Sequence, residues 1–298
     1  VDANSTVTSL TVAHTTPVSI AHTKRLSGAI TVTAGSIKLG ETGKLASTVA
    51  MSGGTLDVDE SMTVSGALTQ AGAITIDVAT GKTLTYRGAA LSLGANTLTM
   101  SGEGTFRANP NVSNANVLDL NNASSKLLLS SSITVSSVST SADSLGLDVN
   151  DDSTVSSLSV GHTTPVSIAS GKTLSGAITV TAGSIKLDEA GGTLGSTVSM
   201  SGGTLDTDET LTVSGALTQA GNITIDVATG KTLTYSGAAL SLGAYTLTMS
   251  GEGRFSNTND LVLNNASSKL LLSSTITVDS VSTSSGSLGL DVNEDSTL

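Results

Sequence analysis

The feature that most constrains this chain is an internal duplication. Residues 26–39 (LSGAITVTAGSIKL) return unchanged as residues 174–187, and residues 74–86 (ITIDVATGKTLTY) return unchanged as residues 223–235. The offset between the copies starts at 148, becomes 149 after a one-residue insertion and falls to 143 past Phe106. Because the same residues dictate the same local structure, both copies must adopt one fold, and the pattern is typical of a repeat architecture.

The phase of the repeat gives the predicted domain organisation. We assign residues 1–4 to the end of a preceding repeat and residues 5–152 to the first copy. Residues 153–295 form the second copy, and residues 296–298 begin a following repeat. The copies differ mainly in loops, above all at residues 107–120, which are shortened in the second copy. Since the chain starts and stops at nearly the same phase, we expect a segment of a longer array.

Short bursts of alternating apolar and polar residues recur through both copies. Residues 30–32 (ITV), 74–76 (ITI) and 84–86 (LTY) are examples, and clusters of Gly, Asn, Asp or Ser separate them. Alternation with a period of two is typical of strands with one buried face. Charged residues make up only 12% of the chain, too few to cover the solvent faces of helices. The sequence therefore predicts an all-β fold.

Among all-β architectures, the sequence favours a parallel β-helix, or β-solenoid, with short stacked turns of roughly twenty residues. Hairpin signals of the Asn-Gly or Asp-Gly type are scarce. The apolar residues are uniformly aliphatic, which suits ladders of like side chains, and five aromatic residues are too few for a wide sandwich core. We predict a right-handed solenoid, and the alternative is a pair of tandem β-sandwich domains.

Three motifs resemble those of known surface proteins. They are Gly-Lys-Thr-Leu-Thr at residues 81–85 and 230–234, Gly-Ala-Asn-Thr-Leu-Thr at residues 94–99, and Leu-Thr-Met-Ser-Gly-Glu-Gly at residues 98–104. These motifs are similar to repeats in the passenger segments of bacterial autotransporters and other large surface adhesins, which form β-solenoids. The resemblance implies an exported, extracellular protein with a structural or adhesive role, and the absence of cysteine agrees with it.

Charge and composition argue against several partners. A net charge of −11 is unsuited to nucleic acid, because phosphate neutralisation requires clustered Lys and Arg. No apolar run approaches the roughly 18 residues of a membrane span. Since the chain has no cysteine, it can form neither a disulfide scaffold nor a thiolate metal site.

One acidic motif, present in both copies, has the spacing of an oxygen-ligand loop for calcium. Its candidate metal ligands are Asp148, Asn150, Asp152, Asp291, Asn293 and Asp295. A complete calcium site needs six or more oxygen ligands, and no bidentate Glu follows at the spacing of an EF-hand. The competing interpretation is a solvated turn that binds no metal. We expect no cofactor, with calcium as the one alternative.

Paired acids at residues 57–60 (DVDE) and 206–209 (DTDE) invite comparison with β-helices that cleave polysaccharides. Such enzymes also need a groove, basic residues and aromatic residues that stack on sugars. Here the positive charges are scattered along the sequence and aromatic residues are rare. We therefore predict that the protein is not an enzyme.

Outward threonines offer a binding alternative. The candidates, each flanked by apolar residues, are Thr31, Thr63, Thr75, Thr85, Thr99 and Thr134. If the turns align them, they form rows of the kind that ice-binding solenoids use. Outward Lys38 and Asp57 would interrupt such rows, and Thr is in any case a good strand residue for a weakly charged surface.

Together these features predict a non-enzymatic extracellular structural protein, a repeat segment of a surface adhesin, stalk or filament. A solenoid with open ends exposes unpaired strand edges. The expected partner is therefore a second copy stacked head to tail, or the continuation of the same chain. The alternatives are a solenoid that binds ice, a glycan or calcium through its Thr and Asp faces, and a polysaccharide-cleaving β-helix.

Overall fold

The computed structural model describes residues 1–108, 118–284 and 286–298. In these ranges the chain is all-β, contains no helix and forms a β-solenoid of about 14 turns. Strand pairing throughout the described ranges is parallel, which confirms the predicted fold class. The tandem-sandwich alternative is wrong, because sandwich sheets are antiparallel. The right-handed sense stays a prediction.

The turns belong to two compact units, Val1–Ser156 and Ser157–Leu298. The division between the units follows Ser156, whereas the predicted boundary between the copies follows Asp152. Each turn has three strand positions, and strands at one position pair with those of the neighbouring turns. We call the resulting sheets the first, second and third sheet of each unit. None of the described residues forms a helix that could cross a bilayer.

In the first unit, the first sheet contains β2 (Thr16–Ser19), β4 (Ser36–Gly40), β7 (Thr55–Val58), β10 (Ile74–Val78), β13 (Thr97–Ser101), β16 (Lys126–Leu129) and β19 (Gly146–Val149). The second sheet contains β5 (Lys44–Leu45), β8 (Met62–Val64), β11 (Thr83–Tyr86), β14 (Thr105–Ala108) and β17 (Thr134–Val135). The third sheet contains β6 (Thr48–Met51), β9 (Leu68–Gln70), β12 (Leu91–Ser92), β15 (Leu118–Leu120) and β18 (Val138–Thr140). Two longer strands cover the second and third positions together, β1 (Ser5–Val12) and β3 (Arg25–Val32). A further long strand, β20 (Ser153–Val160), pairs with β17.

In the second unit, the first sheet contains β21 (Thr164–Ile168), β23 (Ser184–Leu187), β26 (Thr204–Thr207), β29 (Ile223–Val227), β32 (Thr246–Gly251), β35 (Lys269–Leu272) and β38 (Gly289–Val292). The second sheet contains β24 (Thr193–Leu194), β27 (Leu211–Val213), β30 (Thr232–Tyr235), β33 (Arg254–Asn257) and β36 (Thr277–Val278). The third sheet contains β25 (Thr197–Met200), β28 (Leu217–Gln219), β31 (Leu240–Ser241), β34 (Leu261–Leu263) and β37 (Val281–Thr283). The long strand β22 (Thr173–Val180) covers the second and third positions.

The pairing registers give the length of each turn. On the first sheet Ser36 pairs with Thr55, and Thr55 pairs in its turn with Thr75. These separations agree with the turn length that the sequence predicts.

One turn is longer than its neighbours. It runs from Thr97 to its register partner Lys126, whereas the corresponding turn of the second unit runs from Thr246 to Lys269 and is shorter. The difference reflects the longer loop of the first copy, of which residues 109–117 lie outside the described residues.

Alternation along each strand places the apolar residues inside. On the first sheet of the first unit, six fully buried residues stack in one ladder: Ile37, Leu56, Ile76, Met100, Leu129 and Val149. The second sheet adds aromatic pairs between neighbouring turns. The ring centroids of Tyr86 and Phe106 are 6.1 Å apart, and those of Tyr235 and Phe255 are 6.0 Å apart. Four of the five aromatic residues are thereby used in the core.

The long strands turn a corner at a glycine. Gly28 within β3 has a φ of 127°, and Gly176 within β22 has a φ of 124°. A side chain at Gly28 would place its Cβ 1.8 Å from the Val7 carbonyl oxygen of the preceding turn. Only glycine allows both the positive φ and the close approach of the two backbones.

Candidate functional site

The first-copy residues of the predicted calcium motif lie at the carboxyl end of a strand of the first sheet. Asp148 belongs to β19, and the Lys126 ammonium lies 2.5 Å from its carboxylate. Asn150 follows the strand and donates its backbone N–H to the Leu129 carbonyl at 2.9 Å. Asp152 is exposed in the bend that follows β19. The motif therefore spans the end of a strand and the bend after it. A lysine of the preceding solenoid turn neutralises its first carboxylate.

The second-copy residues have the same arrangement. The Lys269 ammonium lies 2.6 Å from the Asp291 carboxylate, and Asn293 donates its backbone N–H to the Leu272 carbonyl at 3.0 Å. Asp295 is exposed. In the part of the chain that the structure describes, no group of three or more His, Asp or Glu side chains is close enough to hold a metal ion. The assignment of calcium ligands in the two copies stays a prediction.

The paired acids that invited comparison with polysaccharide-cleaving enzymes face lysines of neighbouring turns. In the first unit the Lys38 ammonium lies 2.9 Å from the Asp57 carboxylate. The Lys82 ammonium lies 2.6 Å from the Glu60 carboxylate. Both lysines come from the turn before or after the acid, so these ion pairs link successive turns.

In the first unit, the column of the first of these ion pairs continues over two further turns, through Asp77 and Ser101, and the second unit repeats the arrangement. Register pairing on its first sheet stacks Lys186, Asp206, Asp226 and Ser250 on four successive turns. Burial raises the pKa of the Asp206 carboxyl, Lys186 opposes this, and the charges of Asp208 and Asp226 raise the pKa further. The Ser250 hydroxyl donates to Asp226. Within the column, Lys186 therefore pairs with Asp206, and Ser250 forms a hydrogen bond to Asp226.

Outward threonines do form columns, but the columns are short. On the first sheet of the first unit, Thr55, Thr75 and Thr99 pair in register, and Leu128 follows Thr99 in the same column. On the second sheet a column of four consists of Thr83, Thr105, Thr134 and Thr154. Ice binding through these rows stays a prediction.

Basic residues that look scattered in the sequence gather in one column of the second sheet. Register pairing places one residue per turn over five successive turns: Arg25, Lys44, Thr63, Thr85 and Arg107. The three cations of this column are exposed, as is Arg87, which follows Thr85 by two positions. We call Arg25, Lys44, Arg87 and Arg107 the basic face. The column is not visible in the sequence, although the second copy has no cation at the four corresponding positions.

An open groove of about 200 Å³ borders the basic face. Its lining includes Lys44 and the side chains of Ser61, Thr63, Thr83 and Thr85. The Thr83 backbone N–H donates to the Ser61 hydroxyl at 3.0 Å. The groove thus offers hydroxyl groups beside a positive charge, and no aromatic residue lines it.

Comparison with known proteins adds no further assignment. No protein-family model, no curated protein and no solved structure matches the chain.

Proposed function

We propose that the chain is a non-enzymatic structural protein of the cell exterior, a repeat segment of a surface adhesin, stalk or filament. The observation that carries the proposal is the repeated parallel pairing of successive turns within each unit. In a solenoid of this kind, each turn contributes backbone hydrogen bonds and apolar contacts to its neighbours. The exterior location rests on the resemblance of the repeated motifs to surface solenoids and on the absence of cysteine.

Side-chain ion pairs reinforce the stacking. A residue of one turn is joined to a residue of the next by each of the ion pairs of Lys38, Lys82, Lys126, Lys186, Lys231, Arg254 and Lys269. The Arg254 guanidinium, for example, makes two bonds of 2.9 and 3.0 Å to Asp279. Contacts that run from turn to turn suit a protein that keeps its form under load along the stack.

The last described turn exposes apolar residues whose register partners in the preceding turn are buried. Leu270 and Leu272 are fully buried, whereas their register partners Leu290 and Val292 are 38% and 52% exposed. Apolar ladder residues beside an unpaired strand are a template for another turn. We propose that a turn of a second copy, or of the same chain continued, covers them. End-to-end association is then the expected partner interaction.

Association of the full chain tests this proposal. Sedimentation velocity over a range of concentrations should show mass growing with concentration, and negative-stain images should show particles joined end to end. Replacing Leu290 and Val292 by Asp should suppress this growth in mass, because a second copy that covered this end would then bury two charges.

The matched control is Leu288→Asp. Leu288 is 66% exposed, and its counterpart Leu145 in the first copy is also 55% exposed, so this position is not part of the buried ladder. The control variant should associate like the parent. A parent chain whose mass does not change with concentration would contradict the proposal, as would a control that suppresses association equally.

A further inference from the structure

We propose that the basic face of the first unit binds a linear anionic polysaccharide. The proposal goes beyond the structural role, because it gives one surface of the solenoid a ligand. Its residues are Arg25, Lys44, Arg87 and Arg107, together with the hydroxyl-lined groove beside them.

The basic face forms no ion pair within the described residues. At least seven of the 13 Lys and Arg side chains form ion pairs with Asp or Glu of a neighbouring turn. None of those ion pairs involves the four residues of the basic face. Residues 109–117, which lie outside the described residues, contain no Asp or Glu either. In a chain with a net charge of −11, this is a local excess of positive charge.

The arrangement is unfavourable for the isolated protein. Arg25 and Lys44 are direct register partners on neighbouring strands, and like charges in that position repel each other. A chain that neutralises so many of its other cations keeps these two side by side. A bound anion would remove the repulsion, so the arrangement points to a negatively charged ligand.

The second copy shows that the fold does not need these charges. Its residues at the four corresponding positions are Thr173, Thr193, Ser236 and Ser256. The inward neighbours are the same in both copies; Leu26, for example, corresponds to Leu174, and both are buried. The cations are thus an addition to a scaffold that is complete without them, which favours binding over a role in stability.

The geometry of the column suits an extended chain. Arg25 and Arg107 are four strand spacings apart, or about 19 Å at roughly 4.8 Å for each step. Between them, Thr63 and Thr85 present hydroxyl groups on the same column. Cations at both ends with hydroxyls in the middle match a ligand that carries both acidic groups and hydroxyls. An anionic polysaccharide carries both.

Nucleic acid fits the face less well. Single-stranded nucleic acids are held by aromatic side chains that stack on bases. Tyr86 and Phe106 are buried in the core beneath this sheet, and no aromatic residue lines the groove. The acidic remainder of the chain would also repel a long polyphosphate.

Binding to defined polymers tests the proposal. Fluorescently labelled heparin supplies sulfates, polygalacturonate supplies carboxylates, and neutral dextran is the uncharged control. We expect the full chain to bind at least one of the two anionic polymers at physiological salt, more weakly as salt rises, and not to bind dextran. Single-stranded and duplex DNA are measured in parallel.

The decisive variant replaces each cation by the residue that the second copy has there: Arg25→Thr, Lys44→Thr, Arg87→Ser and Arg107→Ser. It should bind at least tenfold more weakly than the parent, with an unchanged circular dichroism spectrum. The converse substitutions, made in that variant, are Thr173→Arg, Thr193→Lys and Ser236→Arg. Ser256 is left unchanged, because its hydroxyl donates to Asp279, which would pair with an arginine there. The three substitutions should restore binding on the second unit, which a misfolded protein could not do.

A charge-matched control separates the face from overall charge. Lys82→Thr with Lys126→Thr removes two cations that are paired with acids, and Arg25→Thr with Lys44→Thr removes two from the basic face. Only the second pair should weaken binding strongly. The proposal is overturned if neither anionic polymer binds, if the fourfold variant binds as the parent does, or if DNA alone is bound.

Discussion

The two copies share most of their inward residues and differ in the charges of their outward residues. Inward Leu26, Leu45 and Phe106 of the second sheet have identical counterparts in the second copy. Their outward neighbours Arg25, Lys44 and Arg107 are replaced there by Thr, Thr and Ser. The buried positions therefore set the fold, and the exposed positions are free to give each copy its own surface.

The largest expected effect tests the part that the copies share. Leu84→Asp in the first copy and Leu233→Asp in the second each place a charge without a partner at a fully buried position. Both should lower the free energy of unfolding by about 4 kcal/mol or more. Chemical denaturation measures the loss. If the two substitutions cause widely different losses of unfolding free energy, the two copies do not have equivalent cores.

The buried tyrosines should give the next largest effect and distinguish the copies. The Tyr86 and Tyr235 hydroxyls each accept the backbone N–H of a buried leucine at 3.0 Å. The Tyr235 hydroxyl also donates to the Ala238 carbonyl at 2.6 Å. Tyr→Phe leaves the buried N–H unpaired, at a cost of about 1–3 kcal/mol. We expect the larger loss for Tyr235→Phe, and equal losses would contradict the extra bond.

The same tyrosines give a dependence on pH. Burial raises the pKa of both hydroxyls above the ordinary value. Their contribution to stability is therefore present below a pH of about 10 and is lost as the pH rises through the raised pKa. The difference in melting temperature between the parent and the Tyr→Phe variants should shrink at alkaline pH.

Exchanging the outward residues should have a smaller effect on stability. Arg25→Thr with Lys44→Thr removes two adjacent like charges and should raise the free energy of unfolding by roughly 0.2–1 kcal/mol. Thr173→Arg with Thr193→Lys should lower it by a similar amount. Both shifts should diminish at high salt, because exposed charges are screened. A loss of stability in the first pair would mean that the cations support the fold.

The smallest effect concerns the ion pair that the second copy has alone. Arg254 replaces Thr105 of the first copy and lowers the pKa of the Asp279 carboxyl. A lowered carboxyl pKa stabilises the folded state above about pH 4 and ceases to do so as the pH falls through the lowered value. Arg254→Thr should therefore reduce the melting temperature slightly at neutral pH and not at all in acid. Since the pair is exposed, its contribution stays far below that of Leu84.

The sequence predicts the inside of each turn well, because burial follows from local alternation. Ile30, Val32 and Leu84 are buried as their spacing indicates. The run at residues 127–129 has three leucines and no alternation. Its middle residue, Leu128, lies in the outward column between Thr99 and Asp148 and is half-buried.

The columns on the outside could not be predicted, because they depend on the length of every intervening turn. Along the second sheet, the step from Lys44 to Thr63 spans fewer residues than the step from Thr63 to Thr85. Arg25 and Arg107 reach one column only after four steps of the stack. Apolar spacing fixes which face a residue takes within its strand, and it carries no information about the residue that will lie above it.

The longer and shorter versions of one turn show how such a chain can acquire new sequence. Leu98 pairs with Leu127 in the first copy as Leu247 pairs with Leu270 in the second, so the additional residues add no step to the stack. An insertion in this connection lengthens the gene product without displacing anything downstream, whereas an insertion of one residue within a strand would reverse the faces that follow. A foreign epitope or affinity handle placed at this connection should accordingly be displayed on a solenoid whose repeat is unchanged.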